Sequence, residues 1–433
     1  MIRRLLLCAI LIAPFPALAQ DHWVATWAAS PQQFRPLAPP PPPAAGQQAQ
    51  PAAPAAPRPL TSLNNQTVRM VLRTSMGGSR LRLQFSNRYG TAPLAFGAAH
   101  VALHGEQSGI VNGSDRVLTF GGKPAVTIPA GAIAISDAVD LQIPKLADLA
   151  VSVYIPGESG QLTMHATGLH TTYIAEGNAA AAPVLSDTKT TQSWYFLSGV
   201  DVVAPPAAAT IVTFGDSITD GATSTVDTNS SWPSFLAQRL LGNAATAQIA
   251  VVNEGISGNR LLHDGAGIAA LARFDEDVIS QPGVKWVTIM LGINDIGFGM
   301  RQPSEAVSAD DIIGALRQLA DRAHLHGIQV IGCTLTPYEG AAYYSDAGEP
   351  VRQAVNRWIR TGGAFDHVID FEAVVRDSSN PKQIRPAFNI RDHLHPNDAG
   401  YKAMADSIDL SIFAPQGRQL QLGAPSNLGA TSH

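Results

Sequence analysis

Four short runs of small and polar residues stand out in this chain of 433 residues, the first three each following an apolar stretch. They are Gly215-Asp216-Ser217-Ile218-Thr219-Asp220-Gly221, Asn253-Glu254-Gly255-Ile256-Ser257-Gly258-Asn259, Leu291-Gly292-Ile293-Asn294-Asp295 and Asp392-His393-Leu394-His395-Pro396-Asn397. A serine on a tight turn that opens a helix has an exposed hydroxyl and a backbone N–H left free to donate. A hydroxyl is a weak nucleophile until a neighbouring base accepts its proton, so a serine, a histidine and an aspartate together suit acyl transfer. Ser257 is a rival nucleophile, although it lacks the Gly-x-Ser-x-Gly elbow pattern. His393 rivals His395 as base, and the two with Asp392 also read as part of a metal pair for which no further clustered ligand is evident. Taken singly, every run has an ordinary explanation. Gly-Asp-Ser is common in turns, Gly292-Ile293-Asn294-Asp295 suits a loop, and Asp-x-x-His suits a helix start capped by Asn397.

The elements that must position these runs are legible from texture. Apolar runs at Ile211 to Phe214, Ile249 to Val252, Trp286 to Leu291, Ile328 to Gly332 and Val368 to Phe371 read as buried parallel strands. Between them lie segments of helical period, at Pro233 to Leu241, Ile268 to Ile279, Ala309 to Leu325 and Pro350 to Arg360, with another helix from Asp398 onward. Alternating strand and helix predicts a doubly wound α/β unit, whose sites form outside the carboxyl ends of the strands. All four polar runs fall there or in the loop before the last helix.

The first half reads differently. Val68 to Arg73, Leu81 to Phe85, Leu149 to Ile155 and Thr171 to Ile174 alternate apolar and polar residues as half-buried strands do, and Gly77-Gly78 reads as a hairpin signal. Together with the strand-like Trp23 to Trp27 they predict an antiparallel, sandwich-like β domain over 20–203. Trp23, Trp27 and Trp194 suit its core and a sugar platform equally. The stretch 36–59 is mostly Pro, Ala and Gln and cannot bury a core, so it is expected as an extended insertion. The α/β unit is expected over 210–414 and a loose tail over 415–433.

At the start, Arg3 and Arg4, the apolar run Leu5 to Ala13 and Ala17-Leu18-Ala19 have the layout of a secretory signal peptide over 1–19, which predicts export to the periplasm or beyond. Cleavage there would leave Cys333, in an apolar run, as the sole cysteine. A net charge of −5 gives no basic field for nucleic acid or an anionic membrane, and no stable membrane insertion is expected. A hydrophobic fraction of 45% is ample for a large core.

Together, in order, the four runs resemble the GDSL esterases and lipases, the SGNH hydrolase superfamily. That signature is a serine in Gly-Asp-Ser after the first strand, then a glycine, then Gly-x-Asn-Asp, then Asp-x-x-His. The resemblance covers about Ile211 to Leu410 and departs only at Ile218, where the short name has Leu. It implies a flavodoxin-like doubly wound sheet and a serine ester hydrolase that needs neither cofactor nor metal. It assigns Ser217 as nucleophile, His395 as base and Asp392 as its orienting acid, and gives the oxyanion donors as the N–H groups of Ser217 and Gly258 and the Asn294 amide. Asp216 and Asp295 are expected to brace loops. An exported chain of this family with an N-terminal β domain resembles bacterial acylhydrolases of plant polysaccharides, which implies a small acyl group, acetyl first, on a carbohydrate or other small ester. An arylesterase or lysophospholipase, and a glycan-binding protein on a hydrolase scaffold, stand as alternatives. The oligomeric state has no sequence signal.

Overall fold

A computed structural model of the protein describes residues 21–33 and 60–414. The expected signal peptide, the whole of the Pro-rich stretch 36–59 and the tail lie outside these described residues.

The N-terminal half consists of antiparallel sheets. One carries β1 (Trp23–Ala28), and its order runs from β1 through Leu197–Val203 and Gly78–Ser86 to Val139–Ile143. A second is built around β2 (Gln66–Arg73), which pairs with Asp148–Ile155 in unbroken register from Arg73↔Asp148 to Gln66↔Ile155. The two sheets share one core, in which Met70 and Leu72 meet Leu81, Leu83 and Phe85, while Arg82 and Gln84, at the alternate positions, turn to Asp201. Alternation of burial along β3 (Gly78–Ser86) is what a strand with one covered face requires. Gly77-Gly78 is not a hairpin, however. The strands it joins lie in different sheets, and a side chain on Gly77 would come within 2.5 Å of the Ile143 carbonyl oxygen. Glycine serves here for close approach of a neighbouring backbone, a use that looks the same in sequence as a turn. Trp27 and Trp194 are core residues, packed edge to face with ring centroids 4.9 Å apart.

In the C-terminal half β4 (Ala209–Gly215), β5 (Ile249–Gly255), β6 (Val284–Met290), β7 (Gln329–Cys333) and β8 (His367–Ile369) form a parallel sheet in the order β5-β4-β6-β7-β8. This is the doubly wound flavodoxin-like order, with its switch point beside β4. Alternate strand residues feed two cores. Val212, Phe214, Val287 and Ile289 pack with Ile312, Leu316 and Leu319 of the helix Ala309–Leu325 on one face. Ile211, Val251 and Ile331 pack with Leu236 of Trp232–Gly242 and Met404 of Asp398–Asp406 on the other. Two covered faces explain why these strands read as continuous apolar runs. The last apolar run is not strand to its end: β8 stops at Ile369, and Phe371 opens a short helix, Phe371–Val375, capped by the Asp370 side chain. The segment expected to be helical from Ile268 is helical only from Ala270, and from Asp275 to Ile279 it widens into a π turn.

The two halves are joined along β1. Ala25 and Ala28 lie in the same core as Val212 and Phe214. The Ala25 N–H donates to the Pro282 carbonyl at 2.9 Å, and Thr210 Oγ1 donates to the Ala25 carbonyl at 3.0 Å.

Candidate active site

Strand register sets the level of the site. Gly215 at the end of β4 pairs with Gly255 of β5 and Met290 of β6, so the chain leaves three adjacent strands at one height. Ser217, Gly258 and Asn294 follow within two to four residues. Gly255 must be glycine, because a Cβ would sit 2.2 Å from the Asp220 nitrogen, where α1 (Ser217–Asp220) crosses the strand.

Asp216 caps α1, its Oδ1 accepting from the Ile218 N–H at 3.0 Å, and this fixes the turn that presents Ser217. Ser217 Oγ lies 2.8 Å from His395 Nε2, and His395 Nδ1 lies 2.5 Å from Asp392 Oδ2. The other carboxylate oxygen of Asp392 accepts from the N–H groups of Leu394 and His395, both at 2.9 Å. Burial would raise the Asp392 carboxyl, but these donors and the His395 charge outweigh it and hold it below the usual carboxylate range. Arg391 and His393 adopt left-handed backbone, with φ of 81° and 61°, while Asn389 Oδ1 accepts from both their N–H groups. Two reversals in three residues let one short loop aim Asp392 and His395 at each other. His393 instead packs at Gly340, where a Cβ would lie 2.8 Å from its ring.

Gly258 has φ of 80°, in the left-handed region that suits glycine. Asn294 is 3% exposed. Its Nδ2 donates to the Asn259 carbonyl at 3.0 Å, and its Oδ1 accepts from Tyr343 Oη at 3.1 Å. Asp295 braces the adjoining loop by accepting from the N–H groups of Leu261 and Leu262 at 2.8 and 3.1 Å. Ser257 donates its hydroxyl to Asp220 Oδ2 at 2.6 Å, so a carboxylate and not an imidazole receives it. His324 pairs with Asp366, and Cys333 is fully buried with its thiol pushed up by that burial.

Sequence reasoning passed over three contributors. Tyr343 orients the Asn294 amide. Asp220 holds Ser257. Arg273, stacked 4.0 Å over Phe214, donates to the Gly215 carbonyl, to Asn259 Oδ1 and to Ser30 Oγ, tying the first two polar runs to the β half. Asp220 lies in the first polar run but carries no mark of its distant partner, and Tyr343 and Arg273 belong to no local pattern.

Asp216 also gives a pH signature. Its Oδ2 is buried with no hydrogen-bond partner among the described residues. Burial drives its pKa up to about 7, against the opposing pull of the Ile218 N–H and of His395, with Asp295 and Asp220 adding to the rise. The folded carboxyl thus keeps its proton up to about pH 7, whereas the unfolded one loses it from about pH 4. The folded state binds the extra proton in that window, so this contribution is full below pH 4 and is lost as pH rises to 7. Asp216→Asn retains the Oδ1 acceptor and does not titrate. Urea unfolding at several pH values should show wild type losing stability relative to this variant by up to about 1.4 kcal/mol per pH unit across the window. A difference that stays flat with pH would contradict a protonated Asp216.

The sequence profile described as GDSL-like Lipase/Acylhydrolase matches residues 211–408. An acetylxylan esterase from Geobacillus stearothermophilus is 30% identical over 172 residues, covering 36% of this chain and 69% of that protein. The chain belongs to the GDSL-like lipase/acylhydrolase family. Among solved structures, an acetyl xylan esterase from Geobacillus stearothermophilus matches at 25% identity, with a TM-score of 0.37, over 46% of this chain and 93% of that one. A lipolytic protein of the G-D-S-L family from Desulfitobacterium hafniense matches at 24% identity, with a TM-score of 0.35, over 46% and 97%. The profile match lies in the α/β half. It takes in the runs that carry Ser217, Gly258, Asn294, Asp392 and His395 and leaves the antiparallel sheets outside it.

Proposed function

We propose that this GDSL-family serine ester hydrolase works by attack of Ser217 Oγ on an ester carbonyl, with His395 as general base and Asp392 as its orienting acid. The observation that carries the reading is the unbroken chain from Ser217 Oγ through both nitrogens of His395 to Asp392 Oδ2, at 2.8 and 2.5 Å. As Oγ attacks, Nε2 takes its proton, and Asp392 stabilises the imidazolium and fixes which nitrogen faces the serine. The tetrahedral oxyanion is met by the N–H groups of Ser217 and Gly258 and by the Asn294 amide. His395 then protonates the leaving alcohol, and water repeats the sequence on the acyl-enzyme to release the acid.

The acyl group is small, acetyl first, and is removed from a carbohydrate or from another small ester. The acetylxylan esterase relative supports this, as does a nucleophile only 5% exposed, which a bulky acyl chain would reach with difficulty. Rates on 4-nitrophenyl acetate, butyrate and octanoate, and acetate release from acetylated xylo-oligosaccharides, test it. Catalytic efficiency should fall by about tenfold or more from acetate to octanoate. A preference for octanoate would replace the acetylesterase reading with the lysophospholipase one. The enzyme also acts outside the cytoplasm, a reading supported by the charged, apolar and small-residue order of residues 1–19. N-terminal sequencing of the mature protein should begin at Gln20.

A further inference from the structure

The β half reaches the site's loops through several buried contacts, the deepest of them at His165. His165, at the end of the strand Thr163–His165, stacks on Trp194 with ring centroids 5.6 Å apart and points into the α/β half. Its Nδ1 lies 3.0 Å from the Ser30 carbonyl oxygen and its Nε2 lies 3.0 Å from Asp220 Oδ1. A carbonyl can only accept, so Nδ1 carries a hydrogen, and a second proton is held between Nε2 and the carboxylate. The His165 and Asp220 side chains are each 3% exposed. The other oxygen of Asp220 accepts from both the N–H and the hydroxyl of Ser257, at 2.8 and 2.6 Å. Ser257 precedes Gly258.

The grip is repeated from the same β-half loop. With its own proton committed to Asp220, the Ser257 hydroxyl accepts from Thr167 Oγ1 at 3.1 Å. Gln32 accepts from the Ala166 N–H at 2.9 Å and donates to the Ala266 carbonyl at 2.8 Å. The Ala266 methyl is the neighbour that a side chain at Gly258 would meet, at 3.1 Å. Three β-half residues thus converge on one loop of the hydrolase half. Burying a charged pair is expensive unless its geometry is fully satisfied, and here it is.

We propose that His165 is a positioning residue of the esterase: through Asp220 it holds Ser257, and thereby aims the Gly258 N–H at the oxyanion. The β half is then part of the catalytic apparatus and not only a neighbour of it. The proposal rests on the esterase reading above and adds that this donor is set from outside the family's own domain. An aimed donor matters more in the transition state than in substrate binding, because charge appears on the carbonyl oxygen only during attack.

The test uses the full-length enzyme with rates normalised to sites titrated by a fluorophosphonate. His165→Ala should lower kcat by about tenfold to a hundredfold with KM changed less than about twofold, a smaller effect than loss of a whole donor. His165→Gln can still donate to Asp220 and should recover part of the loss. Ser257→Ala cuts the same route, so the double variant with His165→Gln should be no slower than the worse single one. If His165→Ala does not fold, Thr167→Val and His165→Gln report on the same loop by the same kcat and KM split. Titrated sites that turn over at the wild-type rate in the His165 variants, with only the melting temperature lowered, would reduce His165 to a structural residue. Losses that multiply in the double variant would break the proposed route. A Ser217→Ala control that stays active would instead overturn the esterase reading itself.

Discussion

Ser217→Ala is expected to lower kcat on 4-nitrophenyl acetate by about 10⁴-fold or more, with thermal unfolding near that of wild type. Among the described residues the Ser217 hydroxyl's side-chain hydrogen bond is to His395, at 2.8 Å, so little packing is lost when it goes. His395→Ala should cost about as much as Ser217→Ala, and the double variant should be scarcely worse than either, because nucleophile and base act as one unit. Asp392→Asn separates orientation from presence. An amide nitrogen in place of Oδ2 would face the N–H of Nδ1 and favour the tautomer whose hydrogen points at Ser217, so a loss approaching about 10⁴-fold is expected with the loop in place. A chelator should leave the wild-type rate unchanged. Turnover by the Ser217→Ala protein at even a tenth of the wild-type rate would remove Ser217 from the mechanism.

How much of this site is legible in the sequence depends on the distance over which each contact is made. Asp392 and His395 come from one turn, and their spacing is visible in the chain. Ser217, Gly258 and Asn294 are visible because each follows an apolar strand, and parallel strands in register bring their ends together. The residues that aim those groups are not visible. His165 and Asp220 are separated by 55 residues, Tyr343 and Asn294 by 49, and Arg273 and Gly215 by 58. A lone histidine after an alternating run, or a tyrosine in a loop, carries no periodic mark, and its meaning arises only when two halves with different textures pack. Gly77 shows the opposite case, in which one clear local signal has two physical causes, a turn or the close approach of a neighbouring backbone, and only the packing tells them apart. Helix boundaries erred where strand gives way to helix within two residues, at Ile369 to Phe371, because both states bury apolar side chains.

Asn294→Ala tests the charge-stabilising side of the mechanism without touching nucleophile or base. Tyr343 Oη donates to Oδ1, and one Nδ2 hydrogen goes to the Asn259 carbonyl, so the amide is held from both ends with a single N–H left for the site. A donor fixed before the reaction needs no reorganisation when charge develops, which is why its loss typically costs about 10²–10³ in turnover. The loss should fall on kcat with KM little altered, since the neutral ester carbonyl gains less from the amide than the oxyanion does. Asn294→Asp should be slower still, because it sets a carboxylate where negative charge must form. Tyr343→Phe leaves the donor in place but frees the amide to turn, so it should fall between wild type and Asn294→Ala. A kcat for Asn294→Ala within about threefold of wild type would show that the N–H groups of Ser217 and Gly258 carry the oxyanion alone. The ordering Tyr343→Phe, Asn294→Ala, Asn294→Asp would show that the amide works through its aim as well as its presence.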